Sequence, residues 1–202
     1  MPRYNIAPSQ SILAILAQAG SSQAELLQWG LIPSWSRERN GFINARAETL
    51  EEKPSFSESF QRRRCLIPAD GFYEWKKSGK SKQPYYFQLT DQSPFMFAGI
   101  WDKWETEGNT IASCAIITTT PNELMAPIHD RMPVILRDED QDAWLRREAR
   151  PKELKALLTT FPATEMMSFP VTAAVNRPDV DHERLVEEID PTQEPGAIGM
   201  LF

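Results

Sequence analysis

Short runs of β-branched and aromatic residues, broken again and again by Pro, Gly and Ser, dominate the chain from Ile12 to Val175. Such punctuation predicts many short strands rather than long helices. Ile12–Leu16 and Leu26–Leu31 read as strands about Gly20-Ser21-Ser22, although the first also suits a helical turn. Cys65–Pro68 and Phe72–Lys76 follow, the second turning through Ser78-Gly79 into Tyr85–Leu89. Phe95–Trp101 and Ile111–Thr119 come next, then Pro170–Val175. Ile111–Thr119 is nearly unbroken in apolar residues and Thr, the pattern of a strand covered on both faces, and is expected at the centre. Helices are expected from Pro54 to Arg63, where Phe56 and Phe60 share a face, from Glu139 to Ala149, and from Pro151 to Leu158. The expectation is an α+β fold: a curved, mostly antiparallel sheet with peripheral helices, in a single domain spanning 1–202. The polar segment after about residue 178 is expected to be a loose tail.

Composition narrows the functional classes. Of 202 residues, 41% are apolar and 25% charged, ordinary values for a globular protein. No apolar run is long enough to span a membrane, and the start Met1-Pro2-Arg3-Tyr4-Asn5 lacks the features of a signal peptide. A cytoplasmic monomer with no membrane partner is the default expectation. The two cysteines, Cys65 and Cys114, lie inside apolar runs and read as buried free thiols. The net charge of −6 argues against a broad nucleic-acid footprint. Positive charge is nevertheless concentrated between Gln61 and Lys82, and a local basic face can hold a short strand of nucleic acid. A solvated hairpin tip explains Lys76 to Lys82 equally well.

Three segments carry more polar chemistry than scaffolding needs: Ile43–Thr49, Pro68–Trp75 and Ile128–Pro133. Glu74 lies in an aromatic strand, where a carboxylate has a raised pKa and exchanges protons near neutral pH. His129, one of two histidines, offers a second group able to pass protons. Asn44 offers a donor and an acceptor for a polar substrate group. Arg46 and Arg131 suit phosphates, and Trp35 and Trp75 suit unpaired bases. Each has a plainer alternative: a salt bridge for Glu74, a structural role for His129, packing for Trp35, and pairing with Glu48 or Asp130 for Arg46. His182 lies in the acidic tail, with no role expected. No Cys/His spacing suits zinc, no glycine loop suits a phosphate, and no Gly-x-Ser-x-Gly elbow occurs, so neither metal nor cofactor is expected.

In order and spacing the motifs Arg3–Pro8, Trp29–Pro33, Ile43–Thr49, Pro68–Trp75, Phe97–Trp101, Ile116–Thr119, Ile128–Pro133 and Pro170-Val171 resemble the SOS response-associated peptidase (SRAP) family. The resemblance covers roughly residues 3 to 176. It implies a β-rich SRAP fold that binds single-stranded DNA and processes abasic sites through a DNA–protein crosslink. Carried over, Asn44 holds the sugar, Glu74 transfers protons or senses the site, and His129 stabilises the opened sugar. Arg46 and Arg131 match phosphate-gripping positions, while Asn5, Pro8, Trp35 and Trp75 match the DNA-binding groove. The peptidase label implies removal of the protein's own first residue.

Family members begin Met-Cys-Gly-Arg, and that cysteine's amine and thiol close a thiazolidine ring on the abasic aldehyde. Here Met1-Pro2 leads directly into Arg3-Tyr4-Asn5, so the nucleophilic cysteine and a first strand are expected to be missing. Cys65, in mid-chain, has no free α-amine with which to replace it. Three alternatives stay open: an upstream cysteine segment in the natural protein, a noncovalent single-stranded DNA binding module, or attack by the secondary amine of Pro2. Whether the chain alone is an enzyme stays open with them. A general peptidase using Glu74 and His129 lacks a nucleophile or metal site.

Overall fold

Period-two alternation decides how the apolar runs are used. In the computed structural model, which describes residues 2–18, 21–79, 81–106 and 108–192, the strand-forming runs pair into two sheets. The elements in chain order are β1 (Ser11–Gln18), β2 (Ser21–Trp29), β3 (Asn44–Arg46), α1 (Ser57–Arg62), β4 (Arg64–Ala69), β5 (Phe72–Ser78) and β6 (Ser81–Leu89). They continue with β7 (Phe95–Thr106), β8 (Asn109–Thr119), β9 (Met132–Pro133), β10 (Ile135–Leu136), α2 (Asp138–Leu145), α3 (Pro151–Leu157) and β11 (Met166–Pro170).

The larger sheet runs β7-β4-β1-β2-β8, and β8 returns to pair with β7, so the sheet curls into a closed ring. Pairing is antiparallel except for β2 and β3, each parallel to β8. β8 is central as expected, with β2, β3, β7 and β9 all bonded along it. The second sheet is the antiparallel meander β11-β6-β5. The ring closes through strands that begin at Ser11, with no gap between neighbours among the described residues.

Alternate residues feed two cores. Ile12, Ala14 and Leu16 of β1, Leu27 of β2, Cys65 and Ile67 of β4, Phe97 of β7 and Cys114 of β8 form one cluster inside the ring. Leu66, Ala98, Ile100, Ala115 and Ile117 point the other way and pack under Phe60, Trp144 and Leu154 of the three helices. Both faces of β8 are thus covered, which is why its run is nearly continuous in apolar residues. Fully buried Phe60 contributes on the order of 2–3 kcal/mol. Trp144, also fully buried, donates its Nε1–H to the Cys65 carbonyl at 3.0 Å. No described helix is long and apolar enough to cross a membrane.

Several boundaries differ from the sequence expectation. Ile12–Leu16 forms a strand and not a helical turn. The turn residues 19 and 20, and Lys80 of the basic hairpin tip, lie outside the described residues. α2 stops at Leu145 because Arg146 takes an extended conformation, well short of Ala149. The last strand is not Pro170–Val175 but Met166–Pro170; beyond it the Thr172 hydroxyl accepts the Ala174 N–H and starts a 3-10 turn. Up to residue 192 the expected loose tail is packed: Leu185 is buried and Asp181 clasps the N-terminal segment. Residues 193–202 lie outside the described residues.

Candidate functional site

A cleft of about 800 Å³ opens where β3, β5, the 128–131 loop and the N-terminal segment meet. Asn44, Glu74 and His129 all line it, as do Asn5, Pro8, Arg46, Trp75 and Arg131. Asn5 and Arg131, 126 positions apart in sequence, thus share its wall.

β5 carries the acid. The ring of Phe72 stacks on Phe87 at 5.2 Å, fixing the start of the strand in the core. Register then places Tyr73 opposite Tyr86 and Glu74 opposite Tyr85. The preceding Gly71 allows a close approach of its backbone to Tyr86. A Cβ there would lie 2.1 Å from the Tyr86 ring and hydroxyl. Burial pushes the Glu74 carboxyl above the ordinary carboxylate range, while His129 nearby pulls it partly back. Burial also raises the phenols of Tyr73 and Tyr86, which therefore stay protonated across the physiological range.

The 128–131 loop carries the histidine. Its backbone is tied down where the His129 N–H donates to the Met125 carbonyl at 3.0 Å. The Arg131 N–H donates to His129 Nδ1 at 3.1 Å, and Asp130 Oδ1 lies 3.4 Å from the same nitrogen. An Nδ1 that accepts the amide proton leaves the proton of the neutral imidazole on Nε2, whereas the Arg131 carbonyl, 3.2 Å from Nδ1, and Asp130 suit a proton on Nδ1.

The two arginines are in different states. Arg131 Nη1 and Nη2 donate to the two oxygens of Glu48 at 2.8 Å each, and Nη2 also donates to the Thr118 carbonyl at 2.6 Å. Arg131 holds the Glu48 carboxyl below the ordinary carboxylate range, against a smaller effect of burial. Glu48 thus forms its ion pair with Arg131, while the charge of Arg46, the partner weighed from sequence, lowers the same carboxyl to a smaller degree. Arg46 is exposed, and its guanidinium has no ion pair among the described residues. Asn44 pairs through its backbone with Ile116 of β8, and its exposed amide projects with no hydrogen bond among the described residues.

The N-terminal segment forms one wall. Asp181 accepts from the Arg3 side chain and from the Tyr4 and Asn5 amides, and the Tyr73 hydroxyl donates to the Tyr4 carbonyl at 2.7 Å. Asn5 is only 5% exposed. Its Nδ2 donates to the carbonyls of Val175, Arg177 and Val180 at 3.0–3.1 Å. Asn5 therefore faces the cleft as a structural staple, its donors already engaged. Trp75 donates Nε1–H to Asn176 Oδ1 at 2.7 Å, which fixes its ring at the rim. Trp35 is not brought into the cleft; it stands 62% exposed on the loop after β2.

Sequence reasoning missed Tyr73, Tyr86 and Asp181. The first two were legible from the Ser78-Gly79 turn, which sets the β5–β6 register. Asp181 carried no signal, since its partners lie 176 to 178 positions away. Cys65 and Cys114 are buried free thiols, and burial pushes Cys114 up to about 12 and Cys65 also upward, so neither is a nucleophile at neutral pH. Among the described residues no group of three or more His, Cys, Asp or Glu side chains comes together to hold a metal.

Comparison with known proteins agrees with this architecture. Residues 1–178 match the model of the SOS response associated peptidase (SRAP) family. The abasic site processing protein YoqW of Bacillus subtilis is 48% identical over 192 residues, covering 92% of this chain and 86% of its own. The abasic site processing protein YedK of Escherichia coli is 30% identical over 189 residues, covering 93% and 85%. A crystal structure of a Bacteroides thetaiotaomicron protein superposes with a TM-score of 0.78 at 32% identity, covering 93% of this chain and 82% of that one. With a shared fold, ordered motifs and a match over most of its length, this chain belongs to the SRAP family.

Proposed function

We propose that this protein binds single-stranded DNA and processes abasic sites in the cleft between β3, β5 and the 128–131 loop. The observation that carries the reading is the convergence of Asn44, Glu74 and His129 on one cleft beside the unpaired cation Arg46. The names of the relatives, abasic site processing proteins, point the same way.

In this reading Arg46 takes a backbone phosphate and the Trp75 ring lies against a base next to the lesion. Asn44 orients the deoxyribose, its amide serving as both donor and acceptor. Glu74, with its raised pKa, gives a proton to the ring oxygen as the C1′–O4′ bond breaks, while the C1′ hydroxyl gives up its proton to water and becomes the aldehyde oxygen. His129 Nε2–H then donates to the freed hydroxyl. In family members that begin Met-Cys the covalent step belongs to that N-terminal cysteine, a residue that the present sequence, starting Met1-Pro2, does not itself carry. Its amine nitrogen and thiol sulfur each bond the aldehyde carbon, each giving up a proton, and the aldehyde oxygen leaves as water.

The test mixes the protein with a single-stranded oligonucleotide bearing one abasic site and resolves it on a denaturing gel. The chain is used as it stands and with Met-Cys-Gly-Arg placed ahead of it, each with and without borohydride. A surviving complex with the cysteine segment supports the reading, and one seen only after borohydride reduction points to the Pro2 amine instead. No complex under any condition, with equal salt-sensitive affinity for intact and abasic strands, would replace it with noncovalent binding.

A further inference from the structure

Arg131 is engaged at both ends, its side chain by Glu48 and its backbone by His129. Arg131 was expected to grip a DNA phosphate, yet its guanidinium is held by Glu48 through two parallel bonds of 2.8 Å and by the Thr118 carbonyl at 2.6 Å. A bidentate pair of this kind fixes direction as well as distance. The Arg131 side chain is 18% exposed, and its Nε is buried without a partner. Its backbone N–H meanwhile donates to His129 Nδ1 at 3.1 Å. One residue therefore joins an anchor on the 3-10 turn after β3 to the imidazole that faces Glu74.

We propose that Glu48 is a positioning residue: through the Arg131 guanidinium its carboxylate holds the 129–131 loop so that His129 presents Nε2–H to the cleft. Among the described residues 129–131 is held by the His129 N–H to Met125, by the His129 Nδ1 contacts to the Arg131 backbone and by the Arg131 contacts to Glu48 and Thr118, before Met132 pairs with Thr119 in β9. Loss of the Glu48 bonds frees the arginine side chain and lets the Arg131 amide move off Nδ1. The imidazole is then free to place its proton on Nδ1, or to turn towards Asp130, 3.4 Å from Nδ1. Either change removes the Nε2–H donor from the place where the opened sugar needs it. Glu48 touches no substrate in this scheme and acts only through Arg131.

The role of the imidazole rests on the function proposed above, but its geometry does not, so the experiment has two separable arms. The first reads the ring alone. With only two histidines in the chain, nitrogen-detected imidazole spectra resolve His129 from His182 in the DNA-free protein. The wild type is expected to show a protonated Nε2 and a bare Nδ1 at alkaline pH. Glu48→Gln is expected to lose this single tautomer for His129 and leave His182 unmoved, with backbone amide signals outside the loop unchanged as the check on folding. Glu48→Asp, which keeps the charge, is expected to restore part of the wild-type signal.

The second arm reads rate against DNA concentration with an abasic strand. Glu48→Gln is expected to lower the rate at saturating DNA by up to about a hundredfold, the scale of a 1 Å misplacement, without raising the half-saturating concentration. An unchanged His129 spectrum in Glu48→Gln would overturn the proposal whatever the activity. So would a normal saturating rate with tighter DNA binding, because Glu48 would then merely screen Arg131 from phosphate. Failure of the wild type to process abasic DNA, with the tautomer shift still present, would sink the functional reading and leave the positioning intact.

Discussion

Removing the amide of Asn5 separates a structural role from a DNA-binding one. In Asn5→Ala the carbonyls of Val175, Arg177 and Val180 lose their shared donor. Two N–H groups serve three acceptors, so no more than two strong bonds disappear. At about 1 kcal/mol net for each bond, plus about 1–2 kcal/mol for leaving a buried carbonyl unpaired, the loss is about 3–4 kcal/mol. For a domain of this size 1 kcal/mol moves Tm by roughly 2–4 °C, so a fall of about 6–16 °C is expected. Asn5→Asp is expected to be worse, since it turns carboxylate oxygens towards the same carbonyls. Thermal unfolding followed by tryptophan fluorescence measures the shift. Fluorescence anisotropy with a labelled single strand, recorded well below the lowered Tm, measures DNA affinity. A Tm within about 1 °C of wild type, together with clearly weakened DNA binding, would refute the staple and restore Asn5 to the DNA-contacting set.

Glu74→Gln is expected to abolish abasic-site processing near neutral pH. It also removes a buried carboxyl whose folded-state pKa is raised, so stability due to Glu74 is full below the ordinary carboxyl range and lost as pH rises through the folded value. Urea unfolding from acid to neutral pH is therefore expected to show Glu74→Gln gaining on the wild type as pH rises; parallel curves would contradict it. Arg46→Gln is expected to weaken single-strand binding and to flatten the dependence of log affinity on log salt by about 0.7, one phosphate contact. An unchanged slope in an anisotropy titration would remove Arg46 from the DNA. Gly71→Ala forces a methyl group into the Tyr86 ring and is expected to cost about 1–3 kcal/mol by denaturant unfolding, with Gly71→Ala matching wild type as the contrary result.

What the sequence disclosed follows the range over which each signal acts. β8 was legible because an unbroken apolar run needs cover on both faces, and both cores supply it. Phe56 and Phe60 were legible as buried, and both are, although α1 begins only at Ser57, after Phe56 and not at Pro54. The β11 position was not legible, since Pro170-Val171 looks strand-forming until the Thr172 hydroxyl starts a turn. Within the cleft, chemistry was readable residue by residue: a carboxylate in an aromatic strand, a histidine beside two charges, an amide in an apolar flank. Pairing was not. Nothing local distinguishes Arg46, which is unpaired, from Arg131, which is held by a glutamate 83 positions away. The clasp of Asp181 on Arg3 and Tyr4 is equally remote, and it turns a polar tail into part of the site's wall.

The site itself is tested most directly by titrating the imidazole signals with two strands of one sequence, intact and carrying a single abasic site. His129 lies in the cleft and His182 does not line it, so the second histidine is an internal reference. The abasic strand is expected to shift His129 strongly and the intact strand weakly, with His182 steady for both. Equal shifts of His129 with the two strands, or no shift with the abasic one, would contradict recognition of the lesion at Asn44, Glu74 and His129.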